Sequence, residues 1–304
     1  MKNKCILKCV LFALVAFNSL AIMAQTTQQA AKPEKKFLQP ERVRYDGSCM
    51  TIEGKDIFIY SAAFHYFRCP EELWRDRFRQ IKEAGFNTVE IYVPWNWHER
   101  IMPSGLNDNS HFGFSDVKRW LKMAQEEFGL YTIVRPGPFI CAEYSGGGYP
   151  RWLAKFCPGG MDDFWLRSAD HRHISWSQHW FDAVCKALAD EQITRKPVGE
   201  KGIILIQIEN EYNHHGCYGK EKLLKALYQS VRKSGMDIPI FTCLTNECRS
   251  SEDVELSQVF DSDNYYVGLS SAPDCAYRMA NLRKEQPDAP GFVTELQGGW
   301  FSLV

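Results

Sequence analysis

"GIILIQIENEY", residues 202–212, begins as a run of apolar, largely β-branched residues and ends in acid, amide, acid. Such a run reads as a strand buried on both faces, as strands of a parallel sheet are. Glu209, Asn210 and Glu211 at the end of that strand are costly unless water, a partner or a substrate meets them. The end of this strand is therefore where chemistry is to be sought.

Working outward, further strand-like runs are "DIFIYSAAFHY", "NTVEIYVPW", "LYTIVRPGPF", "IPIFTCLT", "VFDSDNYY" and "GFVTEL". Ahead of them, "MTIEGKDIFIY" reads as a hairpin turning at Gly54-Lys55. Helical patterns lie between the strands. Pro70 opens one, with Leu73, Trp74, Phe78 and Ile81 on one face and Gly85 closing it. Ser115 is placed to cap a second, which carries Val117, Trp120, Leu121, Ala124 and Phe128 before Gly129. A third runs through Leu223, Leu224, Leu227, Tyr228 and Val231 to Gly235.

Strand and helix in alternation predict a parallel sheet covered by helices, either doubly wound or closed into a (β/α)₈ TIM barrel. No GxGxxG follows a strand, and "SGGGY" at 145–149 lacks the Lys and Ser/Thr of a phosphate loop. Polar residues instead gather at the C-terminal ends of several strands: His65, Trp95-Asn96, Glu143, Asn210-Glu211 and Glu295. A barrel builds its site from those positions. The barrel is the better reading.

The composition is that of an ordinary globular protein. The 304 residues are 45% hydrophobic and 24% charged, with formal net charge −1, so no global field points to nucleic acid or an anionic membrane. Thirteen per cent are aromatic, nine of them Trp, which suits a protein that stacks on sugar faces, although most Trp fill core. "MKNKCILKCVLFALVAFNSLAIMAQ" has a Lys-bearing start, an apolar stretch from Cys9 to Phe17 and small residues before Gln25. It reads as a secretory signal, residues 1–24, cut after Ala24, leaving a secreted or periplasmic protein with no membrane span. Residues 25–42 read as a polar, solvated linker and 43–304 as the catalytic domain. Of eleven cysteines, nine follow the signal, an odd number without a CxxC pair, and free thiols are the expectation. His171, His173, His179, His214 and His215 fit no zinc spacing, so neither metal nor cofactor is expected.

Two acids at strand ends, far apart in sequence, are what glycoside hydrolysis needs: one protonates the leaving oxygen while the other attacks or activates water. Strand alternation puts Glu209 and Glu211 on one face, so by itself it leaves either as the acid.

At this point "FHYFR" (64–68), "YVPWNWHE" (92–99), "RPGPFICAEYSGGGYPRWL" (135–153), "QIENEY" (207–212) and "TELQGGWF" (294–301) resemble the glycoside hydrolase family 35 β-galactosidases, members of the clan of retaining (β/α)₈ glycosidases. The resemblance runs from about residue 43 to the end of the chain. It implies removal of terminal β-galactose by a double displacement, with Glu211 as general acid/base and Glu295 as nucleophile. It implies that Asn210, Tyr92, Cys141, Ala142 and Glu143 surround the galactose, with Glu209 behind them. A bulge is then expected to turn Asn210 and Glu211 inward together. His65 and His98 are expected to orient neighbours, and Trp95, Trp97, Trp152 and Trp300 to divide between core and sugar platform.

The sequence departs from the family at Arg100-Ile101, where a Pro usually follows, and at Leu296-Gln297 after the nucleophile position. Seven strand-like runs are counted and the chain stops nine residues past Glu295, so the barrel is expected to be incomplete at its C-terminus, a truncated product. Two other readings stand beside the galactosidase: a retaining exo-glycosidase with another sugar specificity, and a non-catalytic sugar-binding remnant.

Overall fold

The computed structural model describes residues 33–156, 166–213, 220–249, 251–266 and 272–297. Three short strands, β1 (Val43–Tyr45), β2 (Met50–Ile52) and β3 (Lys55–Ile57), form an antiparallel sheet. Seven more form one parallel sheet in chain order. These are β4 (Ser61–Ala63), β5 (Thr88–Tyr92), β6 (Tyr131–Arg135) and β7 (Ile203–Gln207). They continue as β8 (Ile240–Cys243), β9 (Val259–Tyr266) and β10 (Val293–Gln297). The sheet is an incomplete (β/α)₈ barrel, with β4 and β10 as its free edges among the described residues. Every residue of β5, β7 and β8 is buried, as the apolar runs require.

The covering helices follow the apolar spacing. Helix α1 (Trp74–Glu83) buries Trp74 and Phe78, and α2 (Ser115–Lys122) buries Val117, Trp120 and Leu121. Phe78 meets Trp120 edge-on at 5.0 Å and Phe64 at 5.1 Å between centroids. Gly85 (φ 88°) ends α1: its N–H donates to Lys82 O at 3.0 Å, and Phe86 N–H donates to Ile81 O at 3.3 Å. That pair of bonds is a Schellman cap, which a residue with a side chain would strain. Gly235 ends α4 (Lys220–Lys233) in the same way.

Several expectations are corrected. The hairpin turns at Glu53-Gly54, with φ of 51° and 76°, because a two-residue turn of this hand needs positive φ at both central positions. The run 56–66 is two strands in two sheets, β3 and β4. Ser115 is the first helical residue of α2 rather than its cap; Phe114 holds the cap position without a side-chain bond. Beyond α2 the helix widens into a π turn, Met123–Glu127. Helices α3 (His171–Leu188) and α5 (Ala272–Glu285) carry no counterpart in the sequence reading. Residues 35–42, expected in a solvated linker, are docked: Lys35 Nζ donates to Ser257 O at 2.6 Å and Arg42 Nη2 to Ile193 O at 2.6 Å. Phe37 packs edge-on to Tyr45, which in turn packs on Phe260.

Candidate active site

Residues of β5, β6 and β10, and of β7 and the segment after it, converge on one buried guanidinium. Arg135, the last residue of β6, donates through Nε to Gln207 (2.6 Å), through Nη1 to Glu90 (3.1 Å), and through Nη2 to Asn210 (2.8 Å) and Glu295 (2.7 Å). Its plane also lies 4.1 Å from the Tyr92 ring centroid. Glu295 receives two hydroxyls as well, from Tyr92 on Oε1 and from Tyr266 on Oε2, the latter at 2.5 Å. Burial alone would raise this carboxyl. The charge of Arg135 and the three hydrogen bonds outweigh it, holding Glu295 below the usual carboxylate range. Glu90 fares differently. Burial, with the neighbouring Glu295 charge added, pushes it up to about 7 even though Arg135 opposes the shift.

Glu211 sits across from this cluster. Its Oε1 accepts a hydrogen bond from Asn264 Nδ2 at 2.8 Å, and Asn264 is itself the register partner of Glu295 between β9 and β10. Asn264 on β9 thus bonds the carboxylate that follows β7 and sits beside the one on β10. The Asn264 amide is oriented from its other side by the Cys243 thiol, which donates to Oδ1 at 3.1 Å.

The expected bulge takes another form. Register slips by one residue between Ile203 and Leu205, early in β7. Past the end of that strand, Glu209 (φ 54°) and Glu211 (φ 47°) are both left-handed. Each costs roughly 1–2 kcal/mol for a residue with a Cβ. This backbone separates the three polar residues of the opening motif. Glu209 turns to Arg167, whose Nη2 bonds its Oε2 at 2.8 Å and Asn210 O at 2.7 Å. Asn210 goes to Arg135 and Glu211 to Asn264.

A cavity of about 840 Å³ opens beside Glu295 and runs between the free edges β4 and β10; Tyr92, Ala142 and Glu143 line it with Glu90, Arg135 and His65. Cys141, Ala142 and Glu143 are three consecutive left-handed residues, with φ of 53°, 50° and 46°. Burial and the Glu295 charge raise the Glu143 carboxyl, while Arg68 lowers it and Glu211 raises it further. Burial and then the Glu211 charge raise the half-buried Cys141 thiol. Of the seven residues that the family resemblance brought forward, Tyr92, Asn210 and Glu295 meet Arg135, and Tyr92, Ala142, Glu143 and Glu295 line this cavity. Glu211 is held by Asn264, and Cys141 precedes the lining residues Ala142 and Glu143.

The remaining candidates have structural partners. His98 bonds Tyr66 and Gly113 O, and His173 bonds Tyr149 at 2.9 Å. His179 bonds Glu99 at 2.8 Å, whereas His171 is exposed. His65 stacks between Phe67 and Tyr92, and its pKa is pushed down to about 3 by burial and by Arg68 and Arg135. Trp95 and Trp152 are core, Trp97 is partly buried, and Trp300, His214 and His215 lie outside the described residues. Among the described residues no group of three or more His, Cys, Asp or Glu is arranged to hold a metal ion. Seven described cysteines are free, and Cys157 and Cys217 lie outside the described residues.

Arg135, Tyr266, Asn264, Glu90 and Arg167 escaped the sequence reading. Arg135 carried a usable signal, since "YTIVR" (131–135) ends an apolar strand on a charge just as "GIILIQIENEY" (202–212) does; the others did not.

A model of Glycosyl hydrolases family 35 matches residues 49–303. The chain belongs to that family. It is 30% identical over 291 residues to probable beta-galactosidase B of Talaromyces marneffei, covering 86% of this chain and 27% of that one. It is 30% identical to the beta-galactosidase of Aspergillus niger (90% and 27% covered). To beta-galactosidase-1-like protein 3 of Homo sapiens it is 32% identical (83% and 35% covered). The chain therefore spans 27% to 35% of the length of these relatives. The endo-1,4-beta-mannanase of Rhizomucor miehei superposes with a TM-score of 0.56 at 14% identity, covering 83% of this chain and 80% of that one. That likeness concerns the barrel alone.

Proposed function

We propose that this chain carries the catalytic centre of an exo-acting, retaining glycosidase that releases terminal β-galactose. The observation that carries the proposal is the different set of partners given to two carboxylates at strand ends of one sheet. Glu295 is held ionised by Arg135, Tyr92 and Tyr266, as a nucleophile must be. Glu211 accepts a hydrogen bond from the neutral amide of Asn264, and the family's acid/base falls at this position.

Glu211 protonates the glycosidic oxygen as Glu295 attacks the anomeric carbon. The bond to the leaving sugar breaks and a glycosyl ester forms on Glu295. That step removes the Glu295 charge and leaves Glu211 as a carboxylate. As a carboxylate it then takes a proton from water, which attacks the ester from the side the leaving group vacated. Two inversions return the original configuration. In this reading Asn210, fixed by Arg135 and Gln207, holds the hydroxyl next to the reacting carbon, and Tyr92, Ala142 and Glu143 of the cavity wall, with Cys141 beside them in the chain, surround the ring. No cofactor or metal enters this scheme. Galactose is the sugar that the names of the relatives favour, and the N-terminal sequence favours export with cleavage after Ala24.

Glu295→Gln should abolish hydrolysis of an aryl β-galactoside, whereas Glu211→Ala should regain turnover with azide and an activated leaving group. If Glu209→Ala, correctly folded, loses as much activity as Glu211→Ala, the assignment fails. The retaining course requires the two carboxyls about 5–5.5 Å apart, and proton NMR of the first-formed anomer checks it.

A further inference from the structure

Ala142 and Glu143 of the turn Cys141–Ala142–Glu143 line the cavity, yet the turn's backbone is in a region that only glycine visits freely. Inside the turn, Tyr144 N–H bonds Cys141 O at 2.9 Å, and Ile140 N–H ties its base to Gly147 O at 2.8 Å. The remaining hold comes from outside. Arg68, at the end of the helical turn Tyr66–Arg68 that follows β4, donates through Nη2 to the carbonyl of Ala142, the central residue. Its guanidinium lies over two rings, 5.4 Å from Phe67 and 5.8 Å from Tyr144, and those rings meet edge-on at 4.9 Å. Tyr144 follows the turn in sequence, so Arg68 grips the turn both at its centre and at its exit. A planar cation with a fixed fork of donors can do both at once; an ammonium cannot.

We propose that Arg68 is a positioning residue for sugar binding, a clamp that keeps the strained turn Cys141–Glu143 in the one shape that presents Ala142 and Glu143 to the ring. This rests on the reading of the cavity as the sugar site. Arg68 touches neither Glu211 nor Glu295 by hydrogen bond, so its loss acts on ground-state and transition-state binding together, which appears in KM rather than kcat.

The test uses the full-length chain with Arg68→Met, which keeps the aliphatic stem over the rings, and Arg68→Lys. Hydrogen exchange of the amides of residues 142–145 should quicken about tenfold in the methionine variant, the loss of one charge-assisted hydrogen bond. Exchange in α1 and α3 should stay as it was. KM for an aryl β-galactoside should rise by a similar factor with a smaller change in kcat, and Arg68→Lys should recover part of both. Unchanged exchange at 142–145, or kcat falling as far as kcat/KM with KM constant, would overturn the clamp. Exchange that quickens as expected in a chain that binds no galactoside upholds the clamp on the turn and sinks the sugar-site reading instead.

Discussion

One guanidinium between two buried carboxylates cannot neutralise both, and the outcome is measurable as stability. Arg135 satisfies Glu295 at 2.7 Å with two tyrosine hydroxyls in support, while Glu90 has the longer contact of 3.1 Å. Glu90 accordingly goes from an ordinary 4.5 to about 7 on folding, because burial and the Glu295 charge outweigh Arg135. A folded-state pKa raised above the unfolded value gives stability that is fully present below the unfolded pKa and lost as pH rises through the folded one. The shift is about 2.5 units, which at 1.36 kcal/mol per unit is roughly 3 kcal/mol lost between about pH 4.5 and pH 7. Glu90→Gln has nearly the shape of the protonated acid and no proton to lose. Relative to wild type it should match or trail at about pH 4.5 and gain roughly 3 kcal/mol by about pH 8. Urea unfolding of both proteins across that range measures the difference directly. Asp261, raised to about 6 by burial, and His173, lowered to about 4 by burial, titrate in both proteins and cancel. A stability difference that stays constant with pH refutes the division of Arg135 between the two acids.

Other consequences are independent of that one. Tyr266→Phe removes the donor on Glu295 Oε2, so the nucleophile's pKa should rise by roughly one unit; the acidic limb of the kcat/KM profile should move up with it. Phe78→Ala empties the contact among Phe64, Trp120 and Phe128 and should cost about 3–5 kcal/mol in denaturant unfolding. His179 is buried against Glu99; burial opposes its charged form, but the Glu99 hydrogen bond and charge prevail and raise its pKa. Its contribution is therefore present below the ordinary histidine value and lost as pH rises through the folded pKa, so His179→Gln should remove that decline from the unfolding profile.

Where one local pattern decides an element, the sequence was enough. The parallel strands are apolar runs of the right length, and the helix ends at Gly85 and Gly235 are set by a backbone only glycine takes easily. What escaped depends on facts that no local pattern holds. Helix α3 was hidden because its buried face is built from His173, Trp176, Ser177 and His179 as well as Trp180, Phe181 and Val184, so polar side chains satisfied by distant partners broke the apolar stripe. Within the site, Glu295 and Asn210 were legible as strand-end polar groups. Arg135 shows the same strand-end charge, but its role as their common partner exists only once β5, β6, β7 and β10 are brought into one sheet. Alternation could not choose between Glu209 and Glu211 either. The left-handed backbone and Arg167, 42 residues away in the chain, separate them.

The left-handed residues carry a lesson for anyone who would redesign this chain. Cys141, Ala142, Glu143, Glu209 and Glu211 all hold conformations in which glycine would be more comfortable. Selection for folding alone would therefore drift toward glycine at those positions and improve the protein as an object. Among the first side chains lost would be Glu143 and Glu211, two of the groups on which the proposed reaction depends. A stability-guided redesign that leaves those five positions free should yield a sturdier barrel that has forgotten its chemistry.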